Sequence, residues 1–133
     1  SPMSRGLGDV YKRQVLDDNI GTIFGLEVPL YSNHLGVAGR CDCIAQYNGV
    51  PSIIDFKTSR YKKKKEKISN YFAQGAAYSI MWEERTGMVV PNIVIIMDVD
   101  HEKPSVFVEH RDNWTDLLHN TIDEYRKRKM FGH

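Results

Sequence analysis

The stretch GRCDCIAQYNGVPSIIDFKT, Gly39 to Thr58, decides how this chain folds. Asn48-Gly49 lies between two apolar, β-branched runs, and a two-residue type I′ turn needs positive φ at both central positions, which Asn and Gly tolerate best. The segment therefore reads as a hairpin with strands over Val37–Tyr47 and Pro51–Thr58. A turn without a bulge sets Tyr47 opposite Val50, Cys43 opposite Ile54 and Asp42 opposite Asp55. Opposed Cβ atoms in such a pair stand about 4.5 to 5.5 Å apart, and like charges there are destabilising. In an effective dielectric near 20, two carboxylates at that separation repel by about 4 kcal/mol, so a countercharge is required. Strand alternation puts Lys57 and Arg40 on the face of the two aspartates and Cys41, Cys43 and Phe56 on the other. Lys57 is one countercharge and a divalent cation a natural second. A bulge would slip this register, and a surface hairpin with solvated Asp and Lys side chains is the plain alternative.

Working outward, Thr22 to Tyr31 reads as a first strand, with Gly25 and Pro29 marking a bulge or an edge position. Downstream, Ser69 to Thr86 reads as a helix stopped by Gly87. Pro91 to Val99 is a continuous Val/Ile-rich run, the pattern of a strand buried on both faces, and Ser105 to His110 is a short strand. Asp112 is placed to cap a last helix, Trp114 to Lys129, with Trp114, Leu117, Leu118, Ile122 and Tyr125 on its buried stripe. The order βββαββα specifies an α/β domain with a mixed central sheet flanked by helices. Residues 1–14 lack helical or strand periodicity and read as a disordered or non-native leader, leaving 15–133 as a single domain.

The 133 residues, 41% of them apolar and 26% charged, are enough for one domain with a real core. Eighteen basic and seventeen acidic side chains leave a net charge of +1, which by itself argues against a dedicated nucleic-acid binder. That balance conceals segregation. Lys57 to Lys67 holds seven basic side chains and one acidic, so the rest of the chain is net negative. No apolar run is long enough to cross a bilayer and no secretory signal is evident, so a soluble, cytoplasmic protein without membrane partners is expected. Cys41 and Cys43 are too close in sequence for a disulfide framework and read as reduced core residues.

Three short motifs then fall in order: Gly39-Arg40-Cys41-Asp42, Asp55-Phe56-Lys57-Thr58 and Gln74-Gly75-Ala76-Ala77-Tyr78. Together they resemble the G-x-x-D, D-x-K and Q-x-x-x-Y motifs of the RecB-like branch of the PD-(D/E)XK nuclease superfamily. The pattern is similar to that of the mitochondrial genome maintenance exonucleases and their bacteriophage relatives, over about Gly25 to Lys129. The resemblance implies a restriction-endonuclease-like core and a metal-dependent DNA exonuclease, with single-stranded ends as substrate in replication, repair or recombination. It makes Asp42 and Asp55 the ligands of Mg²⁺ or Mn²⁺ and Lys57 the catalytic lysine. Gln74 and Tyr78, one helical turn apart on one face, would hold water or DNA beside the site. Tyr78 could equally join Tyr71 and Trp82 in a core-facing stripe. Glu27 matches a glutamate often found in the preceding strand, or is an ordinary surface residue. Relatives with an iron–sulfur cluster use four cysteines, so with two none is expected here. Many relatives also carry a metal-binding histidine on a helix before the first strand. Here that region is the leader, which leaves open a missing N-terminal helix and an incomplete enzyme.

Arg60, Lys62, Lys63, Lys64, Lys65 and Lys67 follow the third strand, where they could grip successive phosphates of DNA. Tyr61, Tyr71 and Phe72 flank that run and either stack on unpaired bases or fill the core. Arg126 to Lys129 suit the dipole of a helix C-terminus without any ligand. A catalytically incomplete nucleic-acid-binding module of the same fold, or a purely structural domain, are the rival expectations.

Overall fold

The computed structural model describes residues 18–59, 65–99 and 103–131. Five strands form one sheet in the order β1-β2-β3-β4-β5: β1 Ile20–Ser32, β2 Val37–Tyr47, β3 Val50–Ser59, β4 Asn92–Val99 and β5 Ser105–His110. Helix α1, Lys65–Thr86, follows β3, and helix α2, Thr115–Phe131, follows β5. Among the described residues only β3 and β4 pair in parallel, and α1 makes that crossover. The mixed sheet and the βββαββα order match the sequence reading.

The hairpin turn forms as the residues dictate. Asn48 has φ 48° and Gly49 φ 83°, and the ladder pairs Tyr47 with Val50 and runs without slip to Cys43 and Ile54. Side-chain alternation along this ladder separates two apolar clusters. Ile44, Ile53, Ile93 and Ile95 face α1 and α2 together with Phe72, Ala76 and Met81. Cys43, Ala45, Ile54, Val94 and Ile96 form a second cluster on the opposite face. Strand β4 is buried throughout its centre because both faces are covered, which accounts for its unbroken Val/Ile run. Gly75 lets α1 lie directly on the sheet: a Cβ there would stand 2.4 Å from Ile93 Cγ2.

Three local expectations fail for definable reasons. Helix α2 starts at Thr115, not Trp114, and Asp112 does not cap it. A 3₁₀ turn over Arg111–Asn113 intervenes, with the N–H of Asp112 bound to His110 Nδ1 and the Asp112 carboxylate on the surface. Trp114 stacks on Phe72, centroids 5.1 Å apart, so that ring pair anchors the start of the helix. Tyr125 leaves the buried stripe; it is 63% exposed, one turn beyond Ile122, where the buried part of α2 ends. Finally, Cys41 and Cys43 do not share a face: Cys41 sits in the cluster under α1 and Cys43 in the opposite one. Alternation is therefore interrupted at Asp42.

Candidate active site

The interruption at Asp42 has a counterpart on the neighbouring strand. Strand β1 pairs Leu26 with Cys43 and Val28 with Cys41, so Glu27 falls level with Asp42. Glu27 has φ 47°, in the left-handed region that a non-glycine residue occupies only under constraint. Val28 turns back over Gly25, its Cγ2 2.6 Å from where a Cβ on Gly25 would stand, so residues three apart come to one face. Both strands thus lose their pleat at the same rung, just where the regular β2–β3 ladder ends.

At that rung a side chain takes over from the backbone. Asp42 Oδ2 accepts the N–H of Phe56 at 2.9 Å, which holds its carboxylate against β3. Asp55 is buried and hydrogen-bonded to Asp42. Burial, and next the bond to Asp42, push the Asp55 carboxyl up to about 7, against the opposing pull of Lys57. Lys57 Nζ stands 2.9 Å from Asp55 Oδ2 and donates to Gln74 Oε1 at 3.2 Å. The same ammonium lies 4.6 Å above the Tyr71 ring, a cation–π contact. Hairpin and helix therefore converge on Asp42, Asp55, Lys57 and Gln74.

Tyr78 lies beneath this group and does not open onto it. The phenol is buried, its oxygen is in hydrogen-bonding contact with the backbone of Arg40, and burial raises its pKa to about 12. Gly39 makes that placement feasible, since a Cβ there would lie 2.9 Å from both Cε1 and the hydroxyl of Tyr78. Burial likewise lifts the thiols of Cys41 and Cys43 to about 12 and about 11, which keeps them protonated, and Cys41 Sγ donates to the Cys43 carbonyl at 3.4 Å.

Of the other anticipated residues, Glu27 does not join the carboxylate pair and most of the basic run cannot be placed against it, lying outside the described residues. Glu27 is exposed and does not complete a metal-sized cluster; among the described residues no three His, Cys, Asp or Glu side chains converge. Arg60, Lys62, Lys63, Lys64 and Tyr61 lie outside the described residues, Lys65 opens α1, and Lys67 is exposed in its first turn. Phe72 is core, closed to any base by Trp114. The contact sequence reasoning missed is Tyr71 with Lys57. Its signal was present, because Tyr71 lies three residues before Gln74 and so shares its helix face.

A match to the family model of the PD-(D/E)XK nuclease superfamily covers residues 4–130, which includes most of the N-terminal segment read above as a leader. This chain belongs to that superfamily. Nucleases of this superfamily generally use divalent metal ions. Among solved structures, a candidate exonuclease from Eubacterium rectale superposes with a TM-score of 0.54 at 19% identity. The superposition covers 90% of this chain but 46% of that one, so the present chain spans less than half the length of its structural relative. No curated protein matches. Among the described residues no helix is long and apolar enough to cross a membrane.

The donor set fits a hard divalent cation. Mg²⁺ and Mn²⁺ favour oxygen ligands, and Mg²⁺ commonly takes one or two protein carboxylates with the rest of its shell from water and substrate phosphate. Asp42 and Asp55 are two such carboxylates, held in hydrogen-bonding contact against a charge repulsion that a cation would relieve.

Proposed function

We propose that this protein is a metal-dependent deoxyribonuclease, an exonuclease that hydrolyses phosphodiester bonds at single-stranded DNA ends during replication, repair or recombination. The observation that carries this reading is the position of Lys57 Nζ, shared between Asp55 and Gln74 next to the Asp42–Asp55 pair. Asp42 and Asp55 would hold Mg²⁺ or Mn²⁺. When bound, the cation supplies Lewis-acid neutralisation of phosphate charge and acidification of a water.

The protein's own side chains supply the rest. An ammonium has three donors, and Asp55 and Gln74 engage two of those of Lys57. The third is left for a phosphate oxygen or the attacking water, in a site where Lys57 is only 23% exposed and its charge is poorly screened. Gln74 and the Tyr71 face hold the ammonium in place, and Tyr78 supports the strand that carries Asp42. Arg60, Lys62, Lys63, Lys64, Lys65 and Lys67 would grip the DNA backbone in the cytoplasm, where such a substrate resides.

The test is degradation of end-labelled single-stranded DNA with Mg²⁺, with Mn²⁺ and with chelator, by wild type, Lys57→Ala and Asp55→Asn. Shortening of the labelled strand by wild type alone, and only with metal, is expected. Equal degradation by all three proteins would overturn the assignment. Metal-independent binding without cleavage would instead identify a catalytically incomplete binding module, the reading favoured by the convergence of only two acidic groups among the described residues.

A further inference from the structure

A groove of about 730 Å³ opens between the first half of α1, the segment joining β1 to β2 with the start of β2, and one face of α2 from Leu118 to Lys129. Its wall includes Asn70 and Gln74 from α1 and Thr121, Tyr125, Arg126 and Lys129 from α2. Gln74 is also the partner of Lys57, so the groove begins one hydrogen bond away from the proposed catalytic lysine. The volume is within the usual range for ligand sites.

The composition of the groove is selective. The stripe of α2 that lines it starts apolar, at Leu118 and Ile122, and then becomes aromatic and basic. Helix α2 carries Asp116, Asp123 and Glu124, yet none of them, and no other acidic residue among those described, lines the groove. Arg126 is fixed by donating to the Leu35 carbonyl at 2.7 Å, which presents its guanidinium at the groove edge. Lys129 has no ion-pair partner among the described residues, and Tyr125 stands 63% exposed beside both cations. A dipole effect at the helix end accounts for the cations but not for an exposed aromatic ring on the same groove wall, nor for the absence of acids from that wall. Another large cavity, beside Pro29 and Met81, carries Glu84 and shares only Gly39 with the motifs of the site.

We propose that this groove holds the single nucleic-acid strand as it passes the catalytic rung, with Tyr125 stacked on an unpaired base and Arg126 and Lys129 on consecutive phosphates. Base stacking on an aromatic ring requires an unpaired base, and cations beside the ring follow the backbone. The proposal rests on the nuclease reading of the Asp42–Asp55–Lys57 site and extends it to the path of the substrate.

The test compares wild type with Tyr125→Ala and Lys129→Ala. Both side chains are exposed, so their truncation spares the core, whereas Arg126→Ala would also disturb the β1–β2 turn. Cleavage is measured on a labelled oligothymidylate and on a nitrophenyl ester of thymidine monophosphate too short to reach the groove. Binding of the oligomer is followed by fluorescence anisotropy in Ca²⁺ over a series of salt concentrations. For each variant the preference in kcat/KM for oligomer over ester is expected to fall about tenfold, through KM, with a parallel loss of oligomer affinity. Lys129→Ala should also make the salt dependence shallower by about 0.7 in log–log slope. Equal losses on oligomer and ester, or unchanged oligomer affinity, would overturn the groove. If wild type cleaves neither substrate, the nuclease reading fails, and anisotropy still decides the groove: weaker binding by both variants supports it and unchanged binding refutes it.

Discussion

The two ends of the β2–β3 hairpin lie on the same two strands and are built in opposite ways. At the closed end, Asn48 and Gly49 adopt the positive φ values of the turn, and the ladder beyond them is regular and apolar. At the open end the pleat fails on β1 and β2 together, Glu27 takes a left-handed φ, and a carboxylate replaces a backbone partner. The closed end uses ordinary pairing to set register. The open end uses that register to force two carboxylates together, an arrangement with no merit for stability. The contrast teaches that the site is the place where the hairpin's local rules are broken, and that the regular part holds the break in position.

If this division is correct, substitutions at the two ends should separate activity from stability. The largest effect belongs to the open end. Lys57→Ala and Asp55→Asn should each lower DNA cleavage by about 10²- to 10⁴-fold while each stays folded at the assay temperature, as measured by initial rates beside calorimetric melts. A loss of activity explained by unfolding would erase the distinction. Next comes Gly39→Ala, where the new methyl meets the buried Tyr78 ring; a loss of about 1 to 3 kcal/mol in urea unfolding and a parallel fall in activity are expected.

The third prediction concerns pH. Burial pushes the Asp55 carboxyl up to about 7 in the folded protein, against an ordinary value of 3.8, so the native state binds more protons than the unfolded chain between those limits. Stability without metal is therefore fullest below about pH 4 as regards this group. It is lost as pH rises towards 7, by at most about 1.4 kcal/mol per pH unit. Melts across that range should show the decline in wild type and its absence in Asp55→Asn. Millimolar Mg²⁺ should flatten the wild-type curve at the neutral end. The smallest effect belongs to the closed end: Gly49→Ala should cost about 1 to 2 kcal/mol by strain at φ 83° and leave the activity of the folded fraction unchanged.

Most of the hairpin was legible from its residues, because Asn48-Gly49 leaves one economical turn and the turn fixes the rungs that follow. The β4 strand was legible because nine consecutive positions from Pro91 carry mostly Val and Ile. Strict alternation could not anticipate the double break at Glu27 and Asp42, since it depends on two strands losing their pleat together. Hence the opposite faces of Cys41 and Cys43 were misplaced. Tyr125 was drawn into the core because the helical period continues past Ile122, where the buried part of α2 ends. The Lys57–Gln74 contact depends on α1 crossing β4 at Gly75, a tertiary approach that the sequence marks only as a glycine after a glutamine. Tyr78 carried the right spacing but not its depth. Its burial follows from the missing side chain at Gly39, thirty-nine residues earlier by helix motif, strand and hairpin.

The central claim is that Asp42 and Asp55 together form a cation site at the broken rung. Titration calorimetry with Mn²⁺ near neutral pH, on wild type and on Asp55→Asn, tests it most directly. Saturable binding by wild type, weakened at least about tenfold in the variant, is the predicted result. Indistinguishable isotherms for the two proteins would contradict it.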